Sequence, residues 1–240
     1  MKKNQLVEIT NTKKASDCIN FLRDRPITEM AGLSLWYGIP GVGKSRFARR
    51  YAILNSQLYL RLESTSSAKT FALHLYENLC YHCSLPVGNI RGSANTIFSI
   101  CKEIIADLPG LIIFVDEIDY AFNNSQLLGA IRDIVDCTTA IVILIGMQNT
   151  YKELLKANVH YFDRCSFFVE FKTLSYNDVK LLIDSVSDVT MDSDIIKEIH
   201  KRTSGTLRKI VKMIHTIEII AKTLNVKVIT YNDTLNLFNG

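Results

Sequence analysis

The sequence predicts an α/β fold, in which helices flank a parallel sheet and a small helical subdomain follows towards the C-terminal end. Short apolar runs alternate with helix-length segments between residues 33 and 146, and the strand pattern fades after Leu174. Of the 240 residues, 48% are apolar, which is enough for a hydrophobic interior. We expect residues 1–173 to form the core with a short N-terminal lead-in, and residues 174–240 to form the helical subdomain.

The elements of the predicted core follow one another in a regular order. Strands are predicted where mainly apolar runs are short, and helices where apolar residues recur at helical spacing. The predicted strands are Leu33–Tyr37, Leu58–Leu62, Leu111–Asp116, Ala140–Gly146 and Ser166–Phe171. The predicted helices are Ser45–Leu54, Lys69–Cys83, Ala94–Leu108 and Ser125–Val135.

Capping signals mark the helices of the C-terminal subdomain. Ser175–Asp178 has the pattern of a capping box, and Gly205 is a residue that commonly ends a helix. These signals predict helices over residues 175–187, 194–203 and 206–224, and a last short one capped by residues 230–233.

Composition argues against membrane and secreted classes. The longest apolar runs are far shorter than the roughly 20 residues that cross a bilayer, and no secretory signal follows the basic N-terminus. We therefore expect an intracellular, cytoplasmic protein. Cys80 and Cys83 have the spacing of metal ligands, but no second pair follows, so a buried helix face explains them better than a zinc site.

A glycine-rich loop lies between the first predicted strand and the first predicted helix. Its spacing is that of a phosphate-binding loop, whose main-chain N–H groups face phosphates. Lys44 can reach the β- and γ-phosphates of ATP, and the Ser45 hydroxyl can take a coordination position on Mg²⁺. The loop thus predicts ATP and Mg²⁺ as cofactors, bound through Gly38, Pro40, Gly41, Val42, Gly43, Lys44 and Ser45.

Two acids end the third predicted strand. Asp116 would hold Mg²⁺, directly or through water, and Glu117 would polarise the attacking water. This pair predicts ATP hydrolysis rather than a small-molecule kinase, whose nucleophile is the hydroxyl of its own substrate. Gln148 follows the next strand and would orient the water or contact the γ-phosphate, with Asn149 as the alternative.

Two arginines are candidates for neutralising charge in the transition state. Arg164 precedes the last predicted strand of the core, and Arg208 opens the third helix of the C-terminal subdomain. The alternatives are an ion pair of Arg164 with Asp163 or another neighbour, and a solvated helix position for Arg208.

Taken in order, these motifs resemble those of AAA+ ATPases over about residues 10–225. Within that family the chain looks most like the transposition regulators, namely the phage Mu B protein and its TnsC and TniB relatives. The cues are the lead-in Thr10–Pro26, Arg91-Gly92-Ser93 before a helix, Ile145-Gly146 followed by Tyr151, and Gly205–Lys209 before a long helix.

The resemblance implies a P-loop AAA+ core with a C-terminal lid. It also implies an ATP-dependent homo-oligomer, ring or filament, which coats duplex DNA and recruits or activates the transposase of a mobile genetic element. Arg164 matches the finger that reaches the ATP of a neighbouring subunit, and Arg208 matches the second sensor on the lid. The Mu protein has an N-terminal DNA-binding domain for which roughly 30 residues leave no room here, so DNA contact would fall to the ATPase itself or to another chain. A protein-directed switch such as an ExeA-like secretion ATPase and a helicase loader are the alternatives.

Several basic residues are candidates for contact with DNA. By the resemblance, Lys69 and Arg91 lie in loops that would line the channel of a ring. Residues 197–227 contain eight basic residues and two acids, a balance that suits phosphate binding as well as an ordinary solvated surface. From this segment we select Lys201, Arg202, Lys209 and Lys212.

Overall fold

The computed structural model describes residues 7–157 and 163–234, which divide into two compact units. Residues 15–38 and 44–170 form the first, the core unit. The second, the lid unit, contains residues 7–14, 39–43 and 171–234 of the described chain. Among the described residues, the helices are all too short or too polar to cross a membrane.

A five-stranded sheet forms the centre of the core unit and confirms the predicted α/β class. Its order is β2-β3-β4-β1-β5, and the pairs β2–β3, β3–β4 and β1–β4 are parallel. The strands are β1 (Leu33–Gly38), β2 (Leu58–Arg61), β3 (Ile112–Asp116), β4 (Ile141–Ile145) and β5 (Cys165–Phe171), and the last residue of β5 belongs to the lid unit.

The helices of the core unit begin at polar caps. Ser67 and Thr70 form a capping box, while Ser93 and Asn124 accept hydrogen bonds from N–H groups of the helices that follow them. Two helices, α1 and α6, are not among those that the sequence predicts. The helices are α1 (Thr10–Arg23, which begins in the lid unit), α2 (Lys44–Leu54), α3 (Ala68–His82), α4 (Ala94–Ala106), α5 (Ser125–Cys137) and α6 (Thr150–Ala157), with a 3₁₀ turn at Ile118–Ala121.

Both faces of the sheet are covered, which explains why β3 and β4 are continuous runs of buried residues. On one face, strand residues such as Leu35 and Val115 share a core with α3, α4 and α5. On the other, Trp36 packs against Phe114 and against Phe47 of α2, with ring centroids 5.5 and 5.7 Å apart. These rings fix α2 against the sheet and so determine where its first residue, Lys44, lies.

Three helices with a shared hydrophobic core make up most of the lid unit. The predicted helices are confirmed as α7 (Tyr176–Val186), α8 (Ser193–Thr203) and α9 (Leu207–Thr223). Their buried residues include Val179, Ile199 and Ile214. The parallel strands β6 (Thr190–Met191) and β7 (Val228–Ile229) and a 3₁₀ turn at Tyr231–Thr234 complete the unit. The sequence does not predict β6 and β7, because two-residue strands carry no periodicity.

The start of α1 is tied to the lid unit by hydrogen bonds. The Thr10 N–H and hydroxyl groups donate to Oδ1 of Asp178 at 2.8 and 2.9 Å. The other Asp178 oxygen accepts from the Ser175 hydroxyl at 2.8 Å, which confirms the predicted capping box. Asn11 exchanges two hydrogen bonds with the main chain of Lys172. Asp178 therefore joins two segments that are distant in the sequence.

We expect the Asp178→Ala variant to unfold more easily, by about 1–2 kcal/mol, because it loses a helix cap and the Thr10 contacts. Burial raises the pKa of Asp178, but hydrogen bonds from Thr10 and Ser175 outweigh this effect and lower it overall. A lowered folded-state pKa stabilises the fold above the unfolded-state pKa, and this contribution is lost as the pH falls through the folded value.

The measurement is urea unfolding of the wild type, Asp178→Ala and Asp178→Asn between pH 7 and pH 3. The stability difference between the wild type and Asp178→Asn should shrink at the acid end. A difference that stays constant over this range would show that the Asp178 charge contributes nothing.

Candidate active site

The loop between β1 and α2 needs glycine at two positions. Gly41 and Gly43 have φ angles of 84° and 105°, which side chains of L-residues rarely tolerate. A Cβ atom on Gly43 would also lie 2.6 Å from Cδ2 of Leu207, and one on Gly41 would lie 3.1 Å from Cγ2 of Thr206. The glycines thus serve both the curvature of the loop and the close approach of α9.

The first turn of α9 is hydrogen-bonded to this loop. The Arg208 N–H donates to the Gly41 carbonyl oxygen at 3.0 Å. Thr206, the N-cap residue of α9, makes no capping hydrogen bond through its side chain, so the loop carbonyl supplies an acceptor that a helix N-terminus needs. Cβ of Arg208 lies close to the loop, because a Cβ atom added to Gly41 would be 3.3 Å from it. Arg208 is therefore positioned at the loop, and its sensor role stays a prediction.

Lys44, the first residue of α2, is buried. Its Nζ donates a hydrogen bond of 2.7 Å to the carbonyl oxygen of Gly38, and 7% of the residue is exposed. Ser45 is partly exposed in the first turn of α2. An ammonium group, a hydroxyl group and the main chain at a helix N-terminus are thus gathered within one short segment, as phosphate binding requires.

Asp116 is 2% exposed at the end of β3, and both of its carboxylate oxygens accept hydrogen bonds. The Glu117 N–H donates to Oδ1 at 2.9 Å, and the Tyr59 hydroxyl donates a short hydrogen bond to Oδ2. Burial and the contact with Asp116 raise the pKa of Tyr59 to about 12. The sequence does not single out Tyr59, because its partner Asp116 is recognised only once β2 is seen to pair with β3.

Glu117 lies just beyond β3 in a left-handed backbone conformation, with φ 58° and ψ 42°. Its carboxylate forms an ion pair with Arg61 of β2, with 3.3 Å between Oε1 and Nη2. The Arg61 side chain is 59% exposed, so solvent weakens this pair. Arg61 is a second site residue that the sequence does not single out, and it contacts the carboxylate proposed to activate water.

The end of β4 lies beside the two acids, as predicted. β4 pairs with β3 so that Ile145 is opposite Asp116. Asp119 then accepts hydrogen bonds from the Met147 N–H, at 2.9 Å, and from the Thr150 hydroxyl. Gln148 and Asn149 are exposed between these two anchors, and the choice of Gln148 stays a prediction. The sequence could have pointed to Asp119, since it is a third acid close behind Asp116 and Glu117.

The residues of this site fit Mg·ATP. Positive φ angles at Gly41 and Gly43 curl the main chain of the loop, as a loop that turns its N–H groups towards phosphates requires. Ser45 and Asp116 offer hydroxyl and carboxylate oxygens, the donors that Mg²⁺ prefers. When bound, Mg²⁺ neutralises charge on the β- and γ-phosphates, while Lys44 would bind the same phosphates and Glu117 would hold the attacking water.

Residues 27–155, more than half of the chain, match the AAA domain family. The chain belongs to this family. As an AAA ATPase it binds ATP with Mg²⁺ and hydrolyses the nucleotide, which confirms the activity and the cofactors that the sequence predicts. No curated protein matches the sequence.

Solved structures of AAA+ proteins share the fold. The Aeropyrum pernix ORC1 protein in complex with DNA has a TM-score of 0.65 and 14% identity, over 97% of this chain and 65% of that chain. The Aeropyrum pernix ORC2 protein, in ADPNP-ADP complexes, has a TM-score of 0.71 and 12% identity, over 99% and 70% of the two chains. Cdc6p from Pyrobaculum aerophilum has a TM-score of 0.63 and 14% identity, over 91% and 62%. The AAA chain thus spans about two thirds of the length of these proteins.

Arg164 of the AAA core contacts an acid of its own chain. Its Nε donates to Oδ1 of Asp136, near the end of α5, at 2.7 Å. The ion-pair alternative for Arg164 is therefore present, with Asp136 as a partner. A role in the active site of a neighbouring subunit would require Arg164 to exchange this partner, and that role stays a prediction.

The candidates for DNA contact are exposed. Arg202 forms an ion pair with Glu198 at 2.6 Å, so part of its charge is neutralised locally. Lys197 of the same helix likewise pairs with Asp194 at 2.9 Å. Lys209 and Lys212 lie on α9 shortly after Arg208, whose N–H group contacts the loop. The exposed candidates are Lys69, Arg91, Lys201, Arg202, Lys209 and Lys212.

We expect the Glu117→Gln variant to bind ATP as the wild type does and to lose turnover by about 100-fold or more, because the amide cannot accept a proton from water. The measurements are the affinity for a fluorescent ATP analogue and the rate of phosphate release. Glu153→Gln, a change of the same kind at an exposed position on α6, is the matched control and should leave both unchanged. Normal turnover in Glu117→Gln would remove Glu117 as the base.

Proposed function

We propose that this AAA ATPase binds duplex DNA in an ATP-dependent manner and assembles on it with further copies of itself. We further propose that it regulates transposition, by taking part in target selection and by recruiting or activating a transposase. The exposed basic side chains of the lid unit support the proposal that it acts on DNA. The resemblance of its sequence to transposition regulators supports the proposal of a role in transposition.

The hydrogen bond between Arg208 and Gly41 is the observation that carries the proposal. It connects the phosphate-binding loop with the first turn of α9, where exposed Lys209 and Lys212 follow. A nucleotide that reshapes the loop would therefore act directly on a helix with basic side chains. Such side chains bind DNA phosphates with an affinity that falls steeply with salt.

Structural similarity supports a DNA partner as well. The ORC1 protein of Aeropyrum pernix shares the fold and was solved in complex with DNA. At 14% identity this similarity concerns the fold, and the DNA contacts of the present chain are proposed from its own basic residues.

Self-assembly would make use of Arg164. In the proposed oligomer ATP lies between subunits, and Arg164 reaches the nucleotide of a neighbour after leaving Asp136. About a third of each side chain of this ion pair is open to solvent (34% and 32%), so solvent weakens the attraction between Arg164 and Asp136.

The first test is co-sedimentation with DNA at a fixed salt concentration, with ATP, ADP or no nucleotide. The Glu117→Gln variant should pellet with duplex DNA in ATP only, because it retains the nucleotide. Pelleting with single strands in preference to duplex would contradict the proposal and indicate a helicase loader. No DNA binding in any state would indicate a protein-directed AAA+ switch.

Charge reversal locates the DNA contact. We expect Lys209→Glu with Lys212→Glu to weaken duplex binding by about tenfold or more and to flatten its salt dependence. Lys152→Glu with Lys180→Glu changes the net charge equally at two other exposed lysines and is the matched control. Equal losses in both double variants would show that net charge, rather than α9, governs binding.

A further inference from the structure

The edge strand β2 contacts both acids of the site through neighbouring side chains of one face. Tyr59 pairs in register with Phe114, and Arg61 pairs with Asp116. Side chains two residues apart on a strand point to the same side, so Tyr59 and Arg61 face the same way, while Leu58 and Leu60 enter the core on the other face. Tyr59 reaches Asp116, and Arg61 reaches Glu117.

The Tyr59 hydroxyl restricts the orientation of the Asp116 carboxylate. One oxygen is held by the Glu117 N–H and the other by Tyr59, and the residue is almost completely buried. A carboxylate oxygen has about two lone-pair sites, so each oxygen keeps one for a further partner. Because both oxygens are held by the protein, rotation of the carboxylate would break a hydrogen bond to a charged group, which is among the stronger kinds.

Tyr59 is itself held by the helix that begins with Lys44. The Arg49 guanidinium of α2 lies over the Tyr59 ring, with its Cζ atom 5.1 Å from the ring centroid. The contacts therefore run from α2 through Arg49 and Tyr59 to Asp116. This path connects the helix after the phosphate-binding loop with the carboxylate that would serve Mg²⁺.

We propose that Tyr59, supported by Arg49, is a positioning residue for the magnesium side of the site. It holds Asp116 so that the free lone pairs of the carboxylate serve Mg²⁺ or its bound water. Through the hydrogen bond between Asp116 and the Glu117 N–H, it also stabilises the left-handed backbone at Glu117. The proposal concerns the ATPase site and holds whether or not the chain acts on DNA.

The Tyr59→Phe variant tests this role, because it removes the hydroxyl and keeps the ring that packs under Arg49. Affinity for a fluorescent ATP analogue is measured first in EDTA and then over a Mg²⁺ titration. We expect the affinity in EDTA to stay within about twofold, and the Mg²⁺ concentration at half-saturation to rise by about tenfold, as for the loss of one charge-assisted hydrogen bond.

Two further variants separate positioning from packing. Tyr51 of α2 is a second tyrosine on this side of the sheet, and its ring packs on Phe114. The Tyr51→Phe variant removes its hydroxyl and should leave the Mg²⁺ dependence unchanged. Arg49→Gln should raise the half-saturating Mg²⁺ concentration in the wild type and add nothing to Tyr59→Phe, since it acts through Tyr59. An unchanged Mg²⁺ dependence in Tyr59→Phe would overturn the proposal. Equal losses of affinity with and without Mg²⁺ would also overturn it, because they would indicate a structural role only.

Discussion

The first turn of α9 occupies the space that Cβ atoms on Gly41 and Gly43 would need, and this constraint explains much of the lid unit. Thr206 makes no capping hydrogen bond through its side chain, and the Gly41 carbonyl accepts the Arg208 N–H instead. The loop that we expect to bind phosphate is thus also a structural partner of α9. We propose that a ligand which changes the loop also changes the environment of this helix terminus.

The strand order of the core unit explains how the two acids at the end of β3 are held. β3 supplies Asp116 and Glu117, and its neighbours on both sides contribute to their surroundings. On one side, β2 contributes Tyr59 and Arg61; on the other, the segment after β4 is fixed through Asp119. Side chains of β2 therefore contact both acids, an arrangement that suits a reaction in which positioning and electrostatics dominate.

Periodicity and local motifs were sufficient to predict the sheet, most of its helices and the glycine-rich loop between β1 and α2, because these depend on residues close together in the sequence. The capping box at Ser175 is confirmed for the same reason. The helix α1 has buried residues at helical spacing, Ala15, Cys18, Ile19 and Leu22, so a signal was present there that the prediction did not use.

Contacts between distant segments were not predictable. Tyr59 contacts Asp116 only because β2 pairs with β3. Thr10 contacts Asp178 across 168 positions, and Arg164 contacts Asp136 of α5.

The central claim is that the nucleotide acts on α9 through the loop, and hydrogen–deuterium exchange tests it most directly. Exchange is followed in Glu117→Gln with ATP, ADP or no nucleotide, at residues 205–212 and, for comparison, at residues 216–223 near the other end of α9. We predict that the start of α9 responds to ATP together with the loop, while the far end does not. Protection of the loop by ATP without any response at residues 205–212 would contradict the account.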